Sequence, residues 1–225
     1  MASILFGIRR VVEYIRYFKQ YQICMKYRDF TMIPIQEYMC NLLLAKKVKS
    51  VSGSVVECGV WRGGMIAGIS EILGNERNYY LFDSFEGLPD AKDIDGEGAL
   101  KWQADKTSKG YFDNCRAEIE WANKAMHLAD VKHTHFIKGW FNETLSTTTI
   151  SEPIALLRLD ADWYESTMGC LDNLFDKVAT NGLIIIDDYH TWDGCSKAVH
   201  DFLSKNKKNE RISQFKNRTV FIIKK

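Results

Sequence analysis

The sequence predicts a three-layer α/β domain: a mostly parallel seven-stranded sheet that closes in a C-terminal antiparallel hairpin and carries an N-terminal helical extension. Three observations predict it. From Ser54 onward, short β-rich runs alternate with helical stretches, the pattern of parallel βαβ units. One such run, Val55-Val56-Glu57, passes through a glycine turn (Gly59, Gly63, Gly64) into a helix. Two further apolar runs end in carboxylates: Ile154 to Leu159 leads into Asp160-Ala161-Asp162, and Gly182 to Ile186 leads into Asp187-Asp188-Tyr189, with Asp187 placed 27 residues after Asp160. Open α/β sheets bind ligands beyond the carboxyl ends of their strands, where these groups would converge.

Residues 1–20 carry Ile4, Leu5, Ile8, Val11, Val12, Tyr14, Ile15 and Phe18 at spacings of three and four, with Arg9, Arg10, Arg16 and Lys19 between them. This is an amphipathic helix. It serves either as a membrane-surface or lid helix or as a face packed on its own domain or on a second subunit, which makes a homodimer an expectation. A second helix is expected over Ile35 to Val48, so residues 1–50 read as the helical extension and 51–225 as the α/β domain. Strands are expected at Val55 to Glu57, Tyr79 to Phe82, His135 to Ile137, Ile154 to Leu159 and Leu183 to Ile186. Helices follow at Gly64 to Leu73, Tyr111 to Leu128, Ser166 to Ala179 and Ser196 to Lys205. Ile212 to Phe215 and Thr219 to Ile223 are close enough to pair as an antiparallel hairpin. Glu86 to Ser108 breaks this rhythm as a long acidic loop at a strand's C-terminal end, either a lid or a disordered surface insertion.

At 225 residues the chain fits a single catalytic domain with appended segments. Its 30 basic and 29 acidic residues give a formal charge of +1, so nothing electrostatic points to nucleic acid, and a small-molecule partner is expected. The six cysteines (Cys24, Cys40, Cys58, Cys115, Cys170, Cys195) include no CxxC pair, which speaks against a zinc site or a disulfide scaffold and for free thiols in a reducing cytoplasm. No apolar run reaches the ~20 residues of a membrane span. Arg9-Arg10 follow the short apolar start Met1 to Phe6, the reverse of a secretory signal, so a soluble chain is expected.

The turn glycines do not match GxGxxG, the dinucleotide fingerprint. Glu57, two places before Gly59, instead suits a ligand with positive charge, and S-adenosylmethionine carries an ammonium and a sulfonium. Asp83 ends the second strand 26 residues after Glu57, where α/β nucleotide folds place a carboxylate for ribose hydroxyls. The candidate cofactor-binding set is Glu57, Gly59, Trp61, Arg62, Gly63, Gly64, Asp83, Ser84, Trp140 and Asp160. Asp160, Asp187 and Asp188 form the candidate metal set, because Mg²⁺ is held by few carboxylates while keeping positions for water and substrate. The bland alternative is that these three cap helices and pair with lysines.

VVECGVWRGG (55–64), LFDSFEGLP (81–89), KGWFNETL (138–145), LRLDADWYEST (157–167) and IIIDDYHTWDGCSKAV (184–199) resemble the macrocin O-methyltransferase family, whose members methylate sugar hydroxyls of antibiotics. The resemblance implies a Rossmann-like methyltransferase fold, S-adenosylmethionine as methyl donor, a bound Mg²⁺ on Asp160, Asp187 and Asp188, and Asp160 as general base. It implies a sugar or glycoside acceptor. The chain departs from the family in its segment Asp90 to Gly110 and in Ala161, where glycine is expected. Asp162 reads either as an outer-shell residue or as a cap for the helix near Ser166-Thr167, the cap being favoured. His190 reads as a base or substrate contact, or as a polar loop residue. Tyr164, Tyr189 and Trp192 read as acceptor-pocket walls or core, and Trp140 and Phe141 as adenine contacts or core. A catechol-type O-methyltransferase, a non-catalytic nucleoside-binding scaffold and an NAD-dependent dehydrogenase are the alternatives; the last lacks its fingerprint.

Overall fold

The computed structural model describes residue 12 and residues 14–225. Seven strands, β1 (Ser54–Cys58), β2 (Asn78–Asp83), β3 (His133–Lys138), β4 (Ile154–Leu159), β5 (Val178–Ile186), β6 (Ile212–Phe215) and β7 (Thr219–Ile223), form one sheet in the order β3-β2-β1-β4-β5-β7-β6. β1 to β5 run parallel, and β7 runs antiparallel to both β5 and β6. The chain order reverses between β1 and β4, so the switch point where such sheets bind ligands lies between these two strands.

Helices α1 (Phe18–Lys26), α2 (Ile35–Ala45), α3 (Gly64–Leu73), α4 (Glu97–Ala104), α5 (Ile119–Leu128), α6 (Phe141–Thr144), α7 (Tyr164–Leu174) and α8 (Asp193–Lys205) are described. Every residue of β1 and β4 is buried, as expected of strands covered on both faces. On one face Val55, Leu81, Leu156 and Ile185 meet Tyr38, Leu42, Ile66, Ile69 and Ala122 of α2, α3 and α5. On the other, Val56, Leu157, Leu159 and Ile184 meet Cys170, Leu171, Leu174, Val199 and Phe202 of α7 and α8. Each fully buried aliphatic side chain contributes roughly 1.5–3 kcal/mol, so these two layers hold the sheet rigid beneath the site.

The hairpin and the helix Gly64–Leu73 stand where the sequence places them. Several boundaries differ; the last helix, for one, begins at Asp193 rather than Ser196, and β5 at Val178 rather than Leu183. The helix expected from Tyr111 begins only at Ile119, because Phe112, Asp113, Asn114 and Cys115 all adopt positive φ, a left-handed run no helix accommodates. The helix expected to reach Ala179 ends at Leu174, and Val178 onward belongs to β5. The second helix stops at Ala45, with residues 46–48 continuing as a tighter turn. The amphipathic helix expected over residues 1–20 lies outside the described residues at 1–11 and 13; Val12, Ile15 and Phe18 are exposed.

The acidic loop is a built lid. It contains α4, and its Asp95 carboxylate is buried, accepting the backbone N–H of Lys92 at 2.8 Å and of Tyr164 at 2.7 Å, which ties the lid to the start of α7. Asn114 bonds back onto Leu88 through both its backbone O (3.0 Å) and its side-chain N–H (2.8 Å), which is what the left-handed run secures. Trp163 Nε1 donates to the Pro89 carbonyl at 2.9 Å.

Candidate functional site

A cavity of about 620 Å³ opens beyond the carboxyl ends of β1, β2, β4 and β5, roofed by the lid. At its β1–β2 end the chain turns at Gly59, whose φ is +85°. A Cβ there would lie 1.7 Å from the Asp160 carbonyl oxygen, so this glycine is demanded by the tip of β4 rather than by a ligand. Asp83 fixes the turn: its Oδ2 accepts the N–H of Val60 (2.7 Å) and Trp61 (2.9 Å), and its Oδ1 that of Phe85 (2.6 Å). Burial raises its pKa against these bonds, which lower it. The adjacent Ser84 hydroxyl donates to the Gly87 carbonyl at 3.0 Å and shapes the start of the lid.

At the β4–β5 end, ligand oxygens of Asp160, Asp187 and Asp188 all lie within 4.8 Å of one another. Two of them, Asp160 and Asp187, pair with the Arg158 guanidinium, which is 1% exposed. Arg158 NH1 donates to Glu57 Oε1 (2.9 Å) and Asp160 Oδ2 (2.8 Å), NH2 pairs with Asp187 Oδ1 (2.8 Å), and Nε donates to Asn41 Oδ1 (3.3 Å). Strand register explains the encounter, since Glu57 stands opposite Arg158 across β1 and β4. Glu57 Oε2 is buried with no hydrogen-bond partner. Burial pushes the Glu57 carboxyl up to about 8 and that of Asp187 to about 6, each against the pull of Arg158. Asp188 and Asp162 are held well above the ordinary range, first by burial and then by neighbouring carboxylates. One guanidinium therefore faces five carboxyl groups, a centre short of positive charge.

Of the residues singled out in the sequence, Glu57, Gly59, Trp61, Asp83, Ser84, Trp140, Phe141, Asp160, Asp162, Asp187 and Asp188 line this cavity. Arg62, Gly63 and Gly64 do not. Arg62 is sandwiched between the Trp61 and Trp121 rings, 4.5 and 4.6 Å from their centroids. A Cβ on Gly63 would meet Ala122, and one on Gly64 the Phe30 carbonyl, so both serve close helix packing. Asp162 does not cap α7, which has no side-chain cap; its Oδ1 accepts Trp192 Nε1 at 2.9 Å. Trp192 thus supports the cavity from behind instead of walling it. His190 is exposed and lies 2.8 Å from the Gln214 side chain, Tyr189 bonds His200, and Tyr164 bonds Asp201; none of the three lines the cavity. Arg158, Asn41, Trp163 and the Phe30–Pro34 segment escaped sequence reading. An arginine inside an apolar strand was the available sign for the first of these.

A doubly covered, mostly parallel sheet with a glycine turn and a carboxylate-lined cavity at its switch point is the architecture of Rossmann-like methyltransferases. The solved structure of the O-methyltransferase NovP shares it with a TM-score of 0.73 and 30% identity, over 87% of this chain and 82% of that one. The calicheamicin methyltransferase CalS11 shares the fold at a TM-score of 0.62 and 18% identity, covering 92% of this chain and 91% of that one. Residues 30–224 match the family described as Macrocin-O-methyltransferase (TylF), and the chain belongs to that family. It is 35% identical to a demethyldecarbamoylnovobiocin O-methyltransferase of Streptomyces niveus over 69% of this chain, spanning 60% of that relative's length. It is 34% identical over 82% of its length to a tetracenomycin-C 4'-O-methyltransferase of Streptomyces olivaceus, named for a dimethoxyrhamnosyl substrate, and spans 70% of that protein. Among the described residues no helix is long and apolar enough to cross a membrane.

Proposed function

We propose that the protein transfers the methyl group of S-adenosylmethionine to a hydroxyl of a sugar or glycoside, with a divalent cation such as Mg²⁺ held by Asp160, Asp187 and Asp188. The observation that carries this reading is the meeting of those three carboxylates in the same cavity as the glycine turn. The donor set fits the cation: oxygen ligands from rigid strand tips, in a centre short of positive charge. It fits the cofactor as well, since Glu57 Oε2 is a buried acceptor without a partner, suited to an ammonium. Family membership supports the reaction class, and the sugar-tailoring names of the relatives support the acceptor class.

When bound, the cation would act as a Lewis acid that makes a hydroxyl proton easier to lose. The remaining work falls to the chain's own residues. A carboxylate offers about four acceptor positions, and Asp83 spends three on backbone amides, which leaves room for one ribose hydroxyl rather than two. Trp140 and Phe141 offer apolar faces to an adenine. Arg158 engages Asp160 through Oδ2 alone, and for the hydroxyl proton we assign the other oxygen of Asp160. Asp162, a cavity carboxyl oriented by the Trp192 N–H, supports the site. A cytoplasmic location, where the free thiols stay reduced, completes the reading.

The test is to incubate the protein with S-adenosylmethionine and Mg²⁺ against a panel of methyl glycosides, including deoxy sugars, and to follow gain of one methyl group by mass spectrometry. Methylation that stops with a chelator and returns with Mg²⁺ supports the reading. Methylation indifferent to the chelator would refute its metal part, and failure to bind S-adenosylmethionine would refute it entirely.

A further inference from the structure

The most heavily engaged side chain of the site is neither a candidate ligand nor a candidate base. Arg158 lies on β4 between Leu157 and Leu159, 1% exposed, in a strand whose every residue is buried. A guanidinium taken out of water is costly to bury, and it is tolerated only where opposite charge and acceptors gather round it. Its partners come from four separate pieces of the fold: it donates to Asn41 on α2, Glu57 on β1 and Asp160 after β4, and its NH2 makes an ion pair with Asp187 after β5. NH1 is shared between Glu57, which stands outside the three-carboxylate group, and Asp160, which stands inside it.

We propose that Arg158 is a positioning residue whose guanidinium fork sets the Asp160 and Asp187 carboxylates for the divalent cation, and that the shared NH1 makes cation binding depend on Glu57. This rests on the cation site proposed above. The geometry, not the charge, is the point. A positive charge beside a metal site repels the metal, so a residue kept there for charge alone would weaken binding, and a lysine would serve as well. The fork is what lysine cannot supply: it reaches several acceptors in one plane, whereas an ammonium is a single point on a flexible stem. Arg158→Lys therefore keeps the charge and removes the alignment. Glu57→Gln leaves all three ligands in place but weakens the competing acceptor, so NH1 is drawn more fully onto Asp160.

The experiment is calorimetric titration of Mn²⁺ into the full chain as wild type, Arg158→Lys, Glu57→Gln and the double variant, with circular dichroism to establish folding. Loss of an outer-shell partner typically costs 10–100-fold in metal affinity, and a weakening of about that size is expected for Arg158→Lys. Glu57→Gln should weaken Mn²⁺ binding less. In the Arg158→Lys background it should have little further effect, a non-additivity that general destabilisation would not produce. Unchanged or tighter binding by a folded Arg158→Lys overturns the proposal and leaves the cation site standing. If that variant does not fold, unchanged binding by Glu57→Gln overturns it. Absence of Mn²⁺ binding by the wild type refutes the cation site itself and this proposal with it.

Discussion

Asp83 and Asp187 both end or directly follow strands of one sheet and line one cavity, yet they are held in place by different physics. Asp83 is fixed by three backbone N–H groups whose positions follow from the turn it closes. Asp187 is held by a guanidinium that it shares with Glu57 and Asp160, helped by the Asn41 side chain, among like charges. Backbone amides neither titrate nor exchange for ions, so the glycine-turn end is set once the chain folds. The acidic end is set by a balance of charges, which protons and cations can shift. The difference suits the two ligands proposed: a cofactor that needs a shaped cradle and a cation that needs uncompensated oxygen.

Substitutions should break this contrast in a graded way. Gly59→Ala should act most strongly, because the residue has φ +85° and its Cβ would collide with the Asp160 carbonyl at 1.7 Å. A loss of more than about 4 kcal/mol in urea unfolding, or no soluble protein, is expected. Asp83→Ala should cost about 3 kcal/mol, since three turn N–H groups lose a charged acceptor, and the loss should be the same with and without Mn²⁺.

The acidic end should answer to pH more strongly than the turn, where burial also raises Asp83. Glu57 and Asp187 have folded pKa values raised from 4.5 to about 8 and from 3.8 to about 6. A raised value means stability that is present below the ordinary pKa and lost as pH rises through the folded one. The melting temperature of the metal-free protein should therefore fall between about pH 4 and pH 8, and fall less in Glu57→Gln; Mn²⁺ should restore it at the upper end. A flat profile would erase the distinction between the two ends. The smallest effect belongs to Trp192→Phe, which keeps the ring packing but loses the N–H to Asp162, for a change of about 1 kcal/mol in the same unfolding assay.

The same contrast explains what could be read from the sequence. The tips of β4 and β5 were legible because unbroken apolar runs ending in acidic residues leave few placements for the carboxylates, and Ile154–Leu159 stands unaltered. Asp83 was legible for the same reason. Gly63 and Gly64 stand off the cavity lining, a difference no sequence shows, because a glycine after a strand looks the same whether a ligand or a packed neighbour crowds it; here Ala122 and Phe30 do. The left-handed run Phe112–Cys115 carries no glycine to announce it, and only its bonds to the lid reveal its purpose. Arg158 was hidden because its partners lie as far away in the chain as Asn41, and no local pattern marks such a meeting.

The most direct measurement is calorimetric titration of S-adenosylmethionine and of Mg²⁺, separately, into the wild type and an Asp187→Ala/Asp188→Ala variant. Cofactor binding by both proteins with Mg²⁺ binding by the wild type alone is the predicted result. Mg²⁺ binding that survives in the variant, or a wild type that binds no S-adenosylmethionine, would contradict a methyl-transfer site built from a backbone-held cradle and a charge-held metal centre.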